Sequence, residues 1–466
     1  MQMKNWKSII LIIGLCLSLQ SCFVAEEYQR DEQAIDELKY RTENIATDTT
    51  NLADRSWRQI FTDTLLQGHI RDALKNNQDI RIALEQIKAG NALFKQGKAG
   101  YYPSININGQ YTHQELAPNS QFGSFFSSLN QYELNAGLSW EADIWGKITS
   151  QKRASEANFL RTQAAHKAVK TALIAQVATA YYQLMAIDEQ IAVTEQTINN
   201  RKNSLSVTKA LKEAGDVTAV AVSQTKAQLH NAETILIDLK NEARLLENTI
   251  SVLKGEQPQA IQRSSFDNVS FGNRLFKGVP MDLLENRPDV RQAEFNLRNA
   301  FQMKNVARSD FYPSITLSAT SGFQSLDIAE FIDPNSVFTT LIGGLTQPVF
   351  NRRQIKTRLE VAKAEEQQAF LNFEKTLLNA AKEVTDALYN NQNARERFAV
   401  KQKEYQAYQQ AVNDAQLLLE NGSVNYLEVL NARENALSTR LELVNTRLQE
   451  VNAQVELYRS LGGGWQ

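Results

Sequence analysis

Proline and cysteine are scarce in this chain, 8 and 2 among 466 residues. So few prolines leave little to interrupt long helices. Cys16 lies inside an apolar run near the start, so once that run is removed only Cys22 remains and no internal disulfide can form. The four histidines, His69, His113, His166 and His230, have no metal-ligand spacing. Gly97-Lys98 and Gly146-Lys147 lack the Ser or Thr that would complete a phosphate loop, and there is no Gly-x-Ser-x-Gly elbow. No catalytic constellation results, and neither enzymatic activity nor a cofactor is expected. The formal net charge is only −2, which gives no polyanion-binding signature and argues against a nucleic-acid partner. Past the N-terminus no stretch is apolar enough for a transmembrane helix, which takes roughly 20 residues. If the chain crosses a membrane, it must do so as a closed β-barrel.

The N-terminus reads as a targeting segment. Lys4 and Lys7 precede an apolar run of 11 residues at 9–19 (IILIIGLCLSL), too short to span a bilayer and right for a leader. The run ends in LQSC, similar to a bacterial lipobox, with Cys22 as the lipid-modified residue. A diacylglycerol thioether plus an N-acyl chain supplies enough anchoring signals for stable attachment. The alternative is a plain secretory signal with an incidental cysteine.

The remainder repeats itself. NQDIRIA (77–83) aligns with RPDVRQA (287–293) and YYPSI (101–105) with FYPSI (311–315), both at an offset of 210. Beyond these the offset is 207: Gly137-Leu138-Ser139 aligns with Gly344-Leu345-Thr346, Gly215 with Gly422, and Gly255 with Gly462. The three lost residues fall between the proline and glycine markers, so a loop is expected there in both copies.

Each copy has the same grammar. A helix is expected through about 64–98, and its counterpart through about 281–309. A Tyr-Pro break follows. Ile105, Ile107 and Tyr111 then alternate with Asn106, Asn108, Gln110 and Thr112. After a polar loop, Tyr132, Leu134, Ala136, Leu138, Trp140, Ala142 and Ile144 alternate with Glu133, Asn135, Gly137, Ser139, Glu141 and Asp143. Period two means strand. In copy two Ile315, Leu317, Ala319 and Phe323 repeat the pattern, while Ile342 blurs a fourth strand. Alone, this alternation also fits an ordinary half-buried sheet. Four strands cannot close a membrane barrel, whose smallest examples have about 8, so several chains would have to share one.

The helices carry a second signature. Residues 147–214 contain neither proline nor glycine. Leu173, Val177, Ala180, Leu184, Ile187, Ile191, Thr194 and Ile198 step by four and three, as do Leu229 to Leu253 and Leu437 to Tyr458. Such seams predict coiled-coil packing. Reversals are expected at EAGDVTAV and ENGSVNYL, with Gly215 and Gly422 as left-handed C-caps and Asp216 and Ser423 capping the next helices. The expected organisation is a leader at 1–21, an anchored extension at 22–55 and a first repeat at 56–255, with strands about 104–114 and 131–145. A linker at 256–280 follows, then a second repeat at 281–466, with strands about 313–323 and 338–349.

LENRPDVRQAEFNLRNA, FYPSI, LSWEADIWGK, LTQPVFN, AAKEVTDAL, NGSVNYLEVLNARENAL and LYRSLGGGW, in that order, resemble the TolC/OprM-like outer-membrane efflux proteins over about residues 56–465. The lipobox is similar to that family's lipoprotein branch. The resemblance implies a mixed α+β membrane protein and a homotrimer, with four strands per chain in a shared 12-stranded barrel continued by a helical coiled-coil periplasmic tunnel. Implied partners are a periplasmic adaptor (membrane fusion) protein, an inner-membrane transporter of the resistance-nodulation-division (RND) type and outer-membrane lipid. The chain itself would only conduct.

Glu133, Glu141 and Asp143 would then line water. Gly215, Asp216, Val217, Gly422, Ser423 and Val424 would form the adaptor-docking tips. Glu428 and Asn431 match the positions of a periplasmic gate, where relatives often carry two aspartates, so Asn431 departs from the pattern. Tyr101, Tyr102, Phe311 and Tyr312 would mark a membrane interface. A duct for exported polypeptides and a lipid-anchored coiled coil without a pore are the competing readings.

Overall fold

The computed structural model describes residues 25–30, 56–269 and 287–465. Cys22, the expected leader and residues 281–286 of the second repeat lie outside the described residues. The described elements are α1 (Trp57–Ile60), α2 (Thr64–Asn76), α3 (Gln78–Ala99), β1 (Ser104–Glu115), β2 (Ser128–Glu141), α4 (Lys147–Ala214), α5 (Ala219–Leu253), α6 (Pro288–Ser309), β3 (Ser314–Ser325), β4 (Val337–Thr346), α7 (Gln354–Glu420) and α8 (Tyr426–Ser460). Short 3-10 turns lie at Phe266–Asn268, Ile328–Glu330 and Pro334–Ser336.

The chain divides into two compact units. One comprises the described residues of Met1–Arg30, Ile87–Thr162 and Ala293–Phe373, the other those of Asp31–Gln86, Gln163–Gln292 and Glu374–Gln466.

The first unit holds the sheet. Its order is β1-β2-β3-β4, every pair antiparallel, so β1 and β4 are both edges. The register aligns one apolar face across all four strands: Ile105 opposes Leu138, Leu138 opposes Ala319, and Ala319 opposes Leu341. The other face is polar, with Asn106, Gly137, Thr320 and Thr340 in register. Ile342, which blurred the pattern in sequence, sits opposite Ser318 on this polar face. Strand limits differ from the alternation: β2 starts at Ser128 and stops at Glu141, and β4 stops at Thr346.

The second unit carries the core. Phe61, Leu66, Ile70, Ile174, Tyr181, Leu184, Met185, Ile250, Leu377, Leu457 and Leu461 are fully buried in it. The heptad positions Leu173, Val177, Leu184, Ile187, Ala243 and Ile250 fall within this cluster, so the seams bury as their spacing requires. The linker segment packs on the same unit. Arg263 pairs with Asp188 and Glu247, and the Ser264 N–H donates to the Tyr181 hydroxyl at 3.1 Å.

Two local expectations are corrected. The helix read through 64–98 is two helices, broken at Asn77. The Asn77 Oδ1 accepts from the N–H groups of Asp79 (2.8 Å) and Ile80 (3.2 Å), capping α3, while its Nδ2 donates to the Leu253 carbonyl at 2.9 Å. At the reversals, the caps are Thr218 and Asn425 rather than Asp216 and Ser423. The chain needs two more residues after each glycine, because the Asp216 and Ser423 N–H groups are bonded back to Leu211 and Leu418.

Candidate functional site

Two regions carry the chemistry a conduit would need. In the first unit, helix hands over to strand at Tyr101-Tyr102-Pro103 and Phe311-Tyr312-Pro313. Proline cannot continue a helix and is tolerated where a strand begins. The Tyr102 N–H closes onto Ala99 at 2.9 Å and that of Tyr312 onto Ser309 at 3.1 Å. The carbonyl of each first aromatic is then held from the far side of the hairpin that follows, by Trp140 on β2 and by Gln347 just past β4. Trp140 Nε1 donates to the Tyr101 carbonyl at 3.0 Å, and Gln347 Nε2 to the Phe311 carbonyl at 3.2 Å. Trp145 stacks on Tyr312 with centroids 4.9 Å apart and donates to the Pro313 carbonyl at 2.7 Å. Tyr101, Tyr102, Phe311 and Tyr312 are all exposed. Trp140 and Trp145 lie in LSWEADIWGK and Gln347 in LTQPVFN, but nothing in their spacing marks them as anchors of these turns.

A second aromatic group sits toward the opposite strand ends. Tyr111 and Tyr132 are 5.0 Å apart, and Phe331 lies 6.3 Å from Tyr132 and 6.4 Å from Phe323. Between the two groups the apolar face is open: Ile107 is 76% and Leu341 70% exposed. Among the described residues, no element covers this face or pairs with the outer edges of β1 and β4.

The polar face carries Glu133. Its carboxylate accepts from the Asn135 amide and, at 3.4 Å, from Gln131 Nε2; Asn108 Nδ2 donates to Asn135 Oδ1 at 3.4 Å. Glu141, at the end of β2, pairs with Lys147 at 3.3 Å. Asp143 does not belong to this face. It lies beyond β2 and caps α4, accepting from the Ile148 and Thr149 N–H groups at 2.8 Å each. The positive end of the helix accounts for a carboxylate there.

In the second unit, the reversals at Gly215 and Gly422 are left-handed, with φ of +88° and +68°, and a Cβ on either would meet nothing within 4 Å. Glycine is therefore required there by backbone conformation rather than by space. Asn425 caps α8 by accepting from the Glu428 N–H at 3.3 Å. Glu428 and Asn431 are both exposed and, three residues apart, share one face of α8. Just beyond them a polar knot ties the helices. Arg433 reaches Ser204 Oγ at 2.5 Å and Gln416 at 3.0 Å, and Arg201 pairs with Glu434 and donates to the Gln228 carbonyl. A cleft of ≈ 1600 Å³ opens beside this knot, lined by α4, α5, α7 and α8, including Asp216, Val217, Gly422 and Val424. Ser423 is exposed at the turn. Nothing in the sequence distinguished Arg201 or Arg433 from other charges on long polar helices.

The sequence model for outer membrane efflux proteins matches residues 69–256 and again 279–463. The chain belongs to the outer membrane efflux protein family. Members of this family are transport components, and membership places the chain in the outer membrane as the channel of an efflux system. Among family relatives, the cation efflux system protein CusC of Escherichia coli O6:H1 is 27% identical over 465 residues, 98% of this chain and 99% of CusC. The probable outer membrane lipoprotein SilC of Salmonella typhimurium is 25% identical over 460 residues, 98% of each. A crystal structure of CusC, in work on its folding and transmembrane channel formation, matches with a TM-score of 0.82 at 26% identity, covering 94% of this chain and 99% of that one.

Proposed function

We propose that three copies of this chain close their sheets into one 12-stranded barrel, and that the long helices form the periplasmic part of a passive duct. The observation that carries this reading is the sheet itself, which among the described residues has one uncovered apolar face, one polar face and two free edges. A soluble sheet buries its apolar face, whereas a membrane barrel turns that face to lipid and leaves no edge. Tyr111 lies nine residue steps after Tyr102. At about 3.3 Å per residue and a tilt of about 40° this is roughly 23 Å along the barrel axis, close to the apolar band of about 25 Å in outer-membrane barrels. The two aromatic groups would be the girdles at either interface. The matching hydrogen bonds of Trp140 and Gln347 support two structural repeats per chain.

Attachment through Cys22 completes the picture. The described residues just after it run along α6. Glu26 pairs with Arg308 at 2.5 Å, Tyr28 packs edge-on against Phe301, and Arg30 lies 3.6 Å from Glu294. The chain therefore leads back from Arg30 to Glu26 toward the end of α6 that precedes the Phe311-Tyr312 aromatics, where a lipid on Cys22 would meet the bilayer.

The tips at Gly215 to Val217 and Gly422 to Val424 would dock a periplasmic adaptor, which would link the duct to an inner-membrane RND-type transporter. Glu428 and Asn431 would line the gate, three carboxylates favouring cations at a constriction. The duct passes small solutes that the transporter delivers. Native mass measurement in detergent tests the assembly: a particle of three lipid-modified chains is expected, and a stable monomer or dimer would overturn it.

A further inference from the structure

The segment between β4 and α7 has properties that neither the sheet nor the helices use. Val349 and Phe350 are 98% and 88% exposed, the barest apolar side chains in the protein's described residues. Two arginines follow directly, and both are left-handed: Arg352 at φ 53° and Arg353 at φ 66°. At the matching point after β2 the chain places Gly146, with φ 74°. A glycine fits this conformation without cost and an arginine does not. Arg353 reaches Glu360 at 3.0 Å, but both side chains are at least half exposed, and such a pair contributes little. Arg352 and Lys356 are exposed and make no ion pair among the described residues. Among the described residues the strain is thus offset only by the exposed Arg353–Glu360 pair, and strain of this kind accompanies binding surfaces.

The segment's position identifies the partner. Gln347, just past β4, is bonded to the Phe311 carbonyl, and Arg358 pairs with Asp310. The segment therefore lies beside the Phe311-Tyr312 aromatics at the strand ends nearest the helices. We infer that Val349 and Phe350 enter the periplasmic leaflet of the outer membrane and that Arg352, Arg353 and Lys356 bind the phosphate of an anionic phospholipid headgroup. Apolar side chains beside a basic cluster match the two layers of a bilayer surface. The inference rests on the barrel reading only for placing the bilayer.

Thermal unfolding of the full-length protein in detergent, with phosphatidylglycerol or phosphatidylcholine added, tests it. The wild type should gain several degrees more from phosphatidylglycerol. Arg353→Gly removes the strain, so it should equal or exceed the wild type without lipid yet lose at least half of the phosphatidylglycerol gain. Arg352→Gln should lose a similar share with its lipid-free stability unchanged. Equal gains from the two lipids, or gains unaltered in both variants, would overturn the inference. It would fail equally if inorganic phosphate or lipopolysaccharide stabilised the protein and phosphatidylglycerol did not. Failure to insert into phosphatidylethanolamine–phosphatidylglycerol vesicles would instead contradict the barrel, whereas insertion with indifference to phosphatidylglycerol contradicts this inference alone.

Discussion

Arg201 on α4 and Glu434 on α8 form a 2.5 Å ion pair in which the arginine side chain is only 7% exposed. The same guanidinium donates to the Gln228 carbonyl on α5, so one side chain joins three helices. Removing it would take a donor from the partly buried Gln228 carbonyl and leave Glu434 unpaired. Arg201→Ala should therefore cost about 2–3 kcal/mol. Because the tie lies beside the reversals, the variant should also conduct more in the resting state. Denaturant unfolding and bilayer recording check the two effects separately, and Arg201→Lys, keeping the charge without the fork, should fall between.

Asn77 is the second joint. It caps α3 and holds the Leu253 carbonyl. Asn77→Ala should destabilise by about 1–2 kcal/mol through the lost cap and the orphaned carbonyl. Asn77→Asp keeps the cap acceptor but not the donor, and should recover about half of the loss in equilibrium unfolding.

Acid should loosen the second unit at Asp289. Burial favours its neutral form, but two hydrogen bonds and the charge from Arg287 outweigh that and hold the carboxyl below its usual range. With the folded value lower than the unfolded one of about 4, the stabilisation is complete above that pH. It is lost as pH falls toward the folded value. Thermal melts across pH 7 to 3 should show a decline below about pH 4 that is shallower in Asp289→Asn, which should also melt lower than the wild type at pH 7.

In the proposed 12-stranded barrel, Glu133 should set ion preference. A 12-stranded barrel with strands about 4.8 Å apart and tilted about 40° has a radius of roughly 12 Å, leaving the carboxylates roughly 7 Å from the axis. That lies within the Debye length of about 10 Å at 0.1 M salt and well outside the 3 Å at 1 M. Reversal potentials should show a cation preference at 0.1 M that fades at 1 M, and Glu133→Gln should reduce it severalfold at the lower salt. An unchanged reversal potential would remove Glu133 from the lumen.

The long helices were legible because proline and glycine are absent from them and their seams keep a 3.5-residue step. The strands were legible from their alternation, apart from their ends. The break at Asn77 was hidden because asparagine is a weak punctuator, whereas the aligned position in copy two, Arg287, precedes Pro288, the first residue of α6. Asp143 continued the alternation in sequence but stands past the strand as a helix cap, since period two does not mark where pairing stops. The polar knot of Arg201, Arg433 and Glu434 left no trace, because on a wet helix nothing in the sequence separates a buried cation from a solvated one. Glu428 and Asn431 came from the resemblance and occupy one helix face; periodicity alone did not single them out.

The most direct test of the duct is single-channel recording of the purified, lipid-modified protein in planar bilayers. Discrete conductance steps are predicted, rising in Glu428→Ala and further in the Glu428→Ala, Asn431→Ala double variant. Protein that assembles as three chains yet passes no current, even as the double variant, would contradict the account.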